Sequence, residues 1–148
     1  MNADRSSSRA DLLEAGLTEK IIGAFYAVYN DLGFGRLEAV CLNALRVELS
    51  YRGIAWEKEV LYPVHYRGVQ VGPYRCDLLV DRRVIVELKA THRLTDADRR
   101  QLLNYLRSAD VEVGLLLHFG PGAAFERVVA SRSHFAPRSD PRHPRDPR

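Results

Sequence analysis

The sequence predicts a mixed α/β domain with the element order ααβββαββ. Three observations carry this expectation: two apolar stripes of helical period before Gly53, a change to extended segments after Ile54, and a capped helix followed by two further apolar runs. The first helix follows Thr18, a candidate N-cap, with Ile21, Phe25, Val28 and Leu32 on one face and a stop at Gly33. After Gly33-Phe34-Gly35, a second stripe runs through Leu37, Val40, Cys41, Ala44, Leu45 and Leu49 and ends at Gly53. Segments Ile54 to Tyr66, Tyr74 to Val80 and Val84 to Ala90, punctuated by Gly68, Gly72, Pro73 and Asp81, predict a three-stranded meander. Thr95 with Asp98 forms a capping-box pattern that opens a helix through about Ser108, with Leu102, Leu103 and Leu106 inward. Val113 to Phe119 and Phe125 to Val129 supply two last strands around Gly120-Pro121-Gly122.

A chain of 148 residues, 46% of them hydrophobic, is enough for one domain with a single core. Residues 1–16 are polar and are expected to be a flexible leader, and residues 132–148 an Arg/Pro-rich tail, leaving 17–131 as the folded unit. The tail holds five arginines against two aspartates, which accounts for the whole net charge of +3, so residues 1–131 are formally neutral. Any polyanion site in the body is therefore a local patch. No apolar run is long enough to span a membrane and the N-terminus lacks a secretory pattern, so a cytoplasmic protein is expected. Cys41 and Cys76 have no paired spacing and read as reduced core residues, which argues against zinc.

Chemistry enters where charge interrupts apolar strands, because a buried charge is costly unless it is paired or bound to a metal. Along Val84 to Ala90, alternation puts Glu87 and Lys89 on one face and Val86 and Leu88 on the other. Asp77 joins them only if Asp81, Arg82 and Arg83 form a three-residue loop, or if a bulge has the equivalent effect. Val80 then pairs with Val84, and Asp77 falls opposite Glu87; a two-residue loop would separate them onto opposite faces. Two adjacent carboxylates repel without a cation between them, and hard oxygen donors favour Mg²⁺ or Mn²⁺. The plainer reading of the E-x-K triplet is an ion pair between Glu87 and Lys89.

These residues carry a resemblance. Asp77 followed by Glu87-Leu88-Lys89 on the next strand resembles the signature of the PD-(D/E)XK nuclease superfamily. The resemblance implies a restriction-endonuclease-like αβββαβ core with an extra N-terminal helix and a C-terminal strand. Gly35-Arg36-Leu37-Glu38 before a helix, Val71 to Val80, Val84 to Ala90 and Gln101 to Leu106 resemble, in that order, the bacterial GxxExxY proteins, over roughly Leu17 to Val129. By that resemblance Asp77, Glu87 and the Leu88 carbonyl hold Mg²⁺ or Mn²⁺, Lys89 is the catalytic lysine, and Glu38 is an accessory acidic residue. Gln101 and Tyr105, four apart on one helical face, resemble the Q-x-x-x-Y motif of RecB-like nucleases, with Gln101 near metal and phosphate. The chain departs from the family pattern at Cys41, which stands where a tyrosine follows GxxE. Without the resemblance, Glu38 reads as an acidic residue favoured at a helix start and Tyr105 as half-core.

The resulting expectation is a metal-dependent nuclease-like protein hydrolysing phosphodiester bonds of DNA or RNA, with catalytic Glu38, Asp77, Glu87, Lys89 and Gln101. The alternative is a non-catalytic nucleic-acid- or protein-binding module of the same fold; a weaker one has the tail bind nucleic acid while the body scaffolds. Nucleic acid is the expected partner, with a protein partner or homo-oligomer left open. Tyr105, Arg99 and Arg100 are candidate substrate contacts, as are Arg93, Arg82 and Arg83, although each arginine also suits an ordinary surface. Isolated His92 and His118 read as structural. Trp56, Tyr62 and Tyr66 are expected to pack along the first strand, with no stacking role.

Overall fold

The computed structural model describes residues 13–130; the expected leader and tail lie outside these, apart from residues 13–16. Helix α1 spans Ala15–Leu32 and buries Ile21, Ala24, Phe25 and Val28. It begins one turn earlier than the sequence predicts, because Thr18 is not its cap. The Thr18 hydroxyl donates back to the Ala15 carbonyl at 3.1 Å, and the turn is entered through Glu14 in a left-handed conformation. Helix α2, Glu38–Tyr51, buries Cys41, Leu45 and Leu49, a four-residue spacing that keeps them on one face.

The extended region departs from a simple meander. It contains β1 (Trp56–Lys58), β2 (Leu61–Tyr66), β3 (Val69–Arg75), β4 (Leu78–Val80) and β5 (Val84–Lys89). One long antiparallel ribbon is broken at Glu59, whose φ is 53°, and at the Cys76-Asp77 step, with Cys76 N–H donating to the Val60 carbonyl across the break. Below the break β1 pairs with β4; above it β2 and β3 form a separate two-stranded arm closed by Arg67-Gly68. Gly72 and Pro73, which the sequence suggests as punctuation, are strand residues, with Pro73 facing Pro63. Proline is tolerated there because each strand of a two-stranded arm has an outer edge that needs no N–H.

Helix α3, Asp96–Ala109, opens on the predicted capping box: the Thr95 hydroxyl accepts from Asp98 N–H at 3.1 Å, and the Asp98 carboxylate accepts from Thr95 N–H at 3.0 Å. It carries the chain across to β6 (Val113–Phe119), parallel to β5, and β7 (Ala123–Val129) returns antiparallel, starting two residues before the expected Phe125. The main sheet has the order β1-β4-β5-β6-β7. Every residue of β6 is buried, as expected of a strand covered on both faces.

Two apolar layers flank the sheet. Phe25, Cys41, Leu45, Leu78, Val86 and Leu88 pack together on the α1–α2 side, and Tyr74, Leu79, Ile85, Leu102, Leu106 and Leu116 on the α3 side. Close approach of α3 depends on Gly114, where an added Cβ would meet Leu102 and Leu106 side-chain atoms at 3.1 Å. Among the described residues, no helix is long and apolar enough to cross a membrane. The architecture is the predicted mixed α/β fold, consistent with a PD-(D/E)XK nuclease-like core.

Candidate metal centre

The pairing of β4 with β5 sets the site. Val80 lies opposite Val84, Leu79 opposite Ile85 and Leu78 opposite Val86, so the connection is the odd-length loop Asp81-Arg82-Arg83. Leu79 and Ile85 both face α3, and Asp77 and Glu87 each lie two residues from one of them. Strand alternation therefore turns both carboxylates toward α3, while Val86 and Leu88 anchor β5 in the opposite layer. The Asp77 carboxylate accepts from Leu88 N–H at 2.9 Å through Oδ2, and Glu87 Oε2 accepts from Asp77 N–H at 3.2 Å. Each acid is thus held by the backbone of the strand that carries the other.

Glu38, Asp77, Glu87, Lys89 and Gln101 line one open cleft of about 410 Å³, together with Tyr105. Glu38 comes from the first turn of α2 and reaches the end of β5, where Oε1 accepts from Ala90 N–H at 3.3 Å. Gln101 and Tyr105 come from one face of α3. The arm contributes the remaining wall through Val64, Pro73, Tyr74 and Arg75. Glu87 and Lys89 form no ion pair with each other, so the plainer reading of the E-x-K triplet does not describe the site.

Tyr74 is the site residue that the sequence analysis missed. Its hydroxyl donates to Glu87 Oε2, and its ring is stacked on Tyr105, with centroids 3.4 Å apart and planes at 16°. The signal was a tyrosine three residues before Asp77 on a strand bound for the core, whose hydroxyl must find an acceptor once buried.

Electrostatics mark the pair as strained without a cation. Burial, and then the charge of Asp77, push the Glu87 carboxyl up to about 7, against the opposing hydrogen bonds from Tyr74 and Asp77 N–H and the charge of Lys89. Burial also raises Asp77, countered by Leu88 N–H and by Lys89. Burial followed by the Glu87 charge raises the Tyr74 hydroxyl, which therefore stays a donor.

The donor set suits a hard divalent ion. Hydrogen bonds among the described residues engage Glu87 Oε2 and Asp77 Oδ2, which leaves Oε1 and Oδ1 for a cation. No three His, Cys, Asp or Glu side chains among the described residues cluster tightly enough to hold a metal by themselves. Two carboxylates fit an ion such as Mg²⁺, which keeps several waters, better than a structural zinc. The cysteines do not compete. Cys41 and Cys76 are fully buried, burial raises both thiols, and Cys76 is pushed up to about 12.

Other candidate residues lie outside the cleft lining. Arg99 is engaged by Asp96 at 2.6 Å and Glu126 at 3.0 Å, and Arg100 does not line the cleft. Arg82 pairs with Glu57, and Arg83 with Asp81 and Glu14, at the far end of β5 from Lys89. His118 is buried, with Nε2 at 2.7 Å from the Thr91 carbonyl, and His92 meets Phe34 edge-on. Tyr62 packs at 6.2 Å from Tyr74, but Tyr66 is 64% exposed, contrary to the packing the sequence suggests: it lies beyond the part of the arm that α3 covers.

No match was found among curated proteins. Among solved structures, the crystal structure of SSO0001 matches at 20% identity with a TM-score of 0.48, covering 82% of this chain; the chain spans 62% of the length of that structure. A family model of the PD-(D/E)XK nuclease superfamily matches residues 15–129, the extent of the three helices and seven strands described above. The chain therefore belongs to the PD-(D/E)XK nuclease superfamily.

Proposed function

We propose that the protein is a Mg²⁺- or Mn²⁺-dependent nuclease of the GxxExxY kind that hydrolyses phosphodiester bonds of DNA or RNA. The observation that carries this reading is the convergence of Glu38, Asp77, Glu87, Lys89 and Gln101, from three elements and the β3–β4 step, on one cleft. Asp77, Glu87 and the Leu88 carbonyl would hold the ion. When bound, a divalent cation supplies Lewis-acid charge toward a phosphodiester and lowers the pKa of water.

The chain's own residues have separable tasks. Glu87 and Asp77 are held in place by reciprocal backbone hydrogen bonds and line the same cleft, so they present carboxylates to it without reorganisation. Tyr74 holds the Glu87 carboxylate through its hydroxyl. Lys89 brings positive charge to the same strand face, where it orients the attacking water or offsets charge developing on the phosphate. Gln101 supplies an amide toward water or phosphate oxygens. Cys41, at the position of the family tyrosine, is fully buried in the α1–α2 layer, which supports a packing role there rather than a substrate contact.

The test is incubation of labelled single- and double-stranded DNA and RNA with Mg²⁺ or Mn²⁺ and wild type, Glu87→Ala or Lys89→Met. Wild type is expected to cleave at least one substrate only with metal, and both variants are expected to lose cleavage. Mn²⁺ binding should be lost in Glu87→Ala and retained in Lys89→Met. Metal binding by wild type without cleavage of any substrate would favour the binding-module alternative.

A further inference from the structure

Apart from Tyr74 at its base, the β2–β3 arm is the part of the cleft wall that the nuclease reading leaves without a task. Tyr62, Val64 and Tyr66 lie on one face of β2, because the irregularity in this ribbon falls between Val64 and His65 as an extra residue, Val71, on β3 and leaves the alternation of β2 intact. Val64 lines the cleft, so Tyr66, two residues on, continues the same face roughly 7 Å further out. At the base of the arm this face is closed by the stacked rings of Tyr62, Tyr74 and Tyr105. At its tip it is open: Tyr66 is 64% exposed and its partner Val69 is 61% exposed.

Charge and backbone at the tip point to the occupant. From Val60 to Arg75 the arm has no aspartate or glutamate; Arg75 at its base pairs with Glu59 at 3.6 Å, which leaves Arg67 as the cation of its tip. Arg67 occupies the first position of the two-residue turn with φ 51°, a left-handed conformation for which Asn, Asp or Gly is the ordinary choice. A cation is thus kept at the tip against local backbone preference, and its guanidinium lies 6.0 Å from the Tyr66 ring centroid. An exposed aromatic ring with an arginine over one face, on an arm without acids of its own that leads away from the proposed phosphodiester-binding cleft, matches the stacking platform and backbone contact of single-strand recognition. The paired bases of a duplex already have their faces covered.

We propose that the arm grips an unpaired segment of nucleic acid as it leaves the cleft, with the Tyr66 ring stacking on one base and Arg67 contacting the backbone. The proposal rests on the nuclease reading for the identity of the polyanion. Its test uses the full chain in EDTA, so that binding is read without turnover. Fluorescence anisotropy is measured with a labelled single-stranded DNA, the same sequence as RNA, the DNA duplex and heparin, for wild type, Tyr66→Phe, Tyr66→Ala and Arg67→Ala.

Tyr66→Ala is expected to weaken binding to single strands of at least one sugar type by roughly 5- to 100-fold, while Tyr66→Phe stays within about twofold of wild type. Affinity of Tyr66→Ala for duplex and heparin should change less than about twofold. Arg67→Ala should weaken all polyanions and flatten the salt dependence. Circular dichroism melting checks that the variants fold, which an exposed tip position should permit. Equal single-strand affinity of Tyr66→Ala and wild type would overturn the proposal, as would an equal loss on duplex and heparin. A change in sedimentation of Tyr66→Ala without nucleic acid would assign the tip to a protein contact instead. Cleavage that survives Tyr66→Ala with unchanged single-strand binding would sink the arm and leave the nuclease; single-strand binding lost in Tyr66→Ala with no cleavage by wild type would do the reverse.

Discussion

Two of the hairpins, β4–β5 and β2–β3, differ in what fixes them. The β4–β5 hairpin has a three-residue loop and is buried on both faces, with Val80, Val84, Ile85 and Val86 fully enclosed. A register slip there would drive Glu87 into the α1–α2 layer, so packing leaves one geometry. The β2–β3 arm closes on Arg67-Gly68, is covered only at its base, and leaves Leu61, Tyr66, Val69 and Val71 more than half exposed. The carboxylates sit on the hairpin that the core determines, and the exposed aromatic tip on the one that it does not. The carboxylates are therefore fixed by packing, whereas the surface of the arm next to them is left uncovered.

The sharpest way to break this contrast is Glu87→Gln, which keeps the side chain's shape and removes its charge. Metal-dependent cleavage should fall by at least about 10³-fold, on the order of 4 kcal/mol of transition-state stabilisation, in a single-turnover assay. In the core, Ile85→Ala should cost about 2–5 kcal/mol in urea unfolding, because Ile85 is fully buried beneath α3. The metal-free protein should also carry a pH signature of Glu87. Its folded pKa, about 7, lies above the ordinary 4.5, so the folded state favours the protonated acid. That contribution is fully present below about pH 4.5 and is lost as pH rises through about 7. Wild type should therefore lose stability relative to Glu87→Gln over this window, by on the order of 3 kcal/mol before relaxation. Thr95→Ala, which removes the cap of α3, should cost about 1 kcal/mol. Val71→Ala, at a 60% exposed position on the arm, should stay within about 0.5 kcal/mol of wild type by the same unfolding assay.

The same contrast explains how much could be read from the sequence. The carboxylate hairpin was legible because its alternation is strict: Val84, Val86 and Leu88 against Ile85, Glu87 and Lys89 admit one inward arrangement, and the loop length then decides where Asp77 falls. The α3 capping box and the Gln101–Tyr105 spacing were legible for similar local reasons. The arm was not. Gly72 and Pro73 have the composition of a turn, and only the absence of neighbouring strands, a tertiary fact, makes them acceptable in β3. The break at Glu59 depends on a residue type that rarely adopts positive φ, and no local preference announces it. Tyr74 was visible as a strand residue, but its bond to Glu87 became apparent only once β3 and β5 were seen to share the α3 face. Thr18 shows the opposite error, a good cap residue one turn inside a helix that tertiary packing extends.

The central claim is that Asp77 and Glu87 form a divalent-cation site, and calorimetric titration of Mn²⁺ tests it most directly. Wild type and Glu87→Gln would be titrated at pH 6 and pH 8, in buffers of different ionisation heat. The account predicts that wild type binds, more tightly at pH 8 than at pH 6, and releases protons at pH 6 because the raised Glu87 acid must ionise to accept the metal. Glu87→Gln should bind weakly or not at all at either pH. Wild type that binds no Mn²⁺, or a Glu87→Gln variant that binds it as well as wild type, would contradict the account.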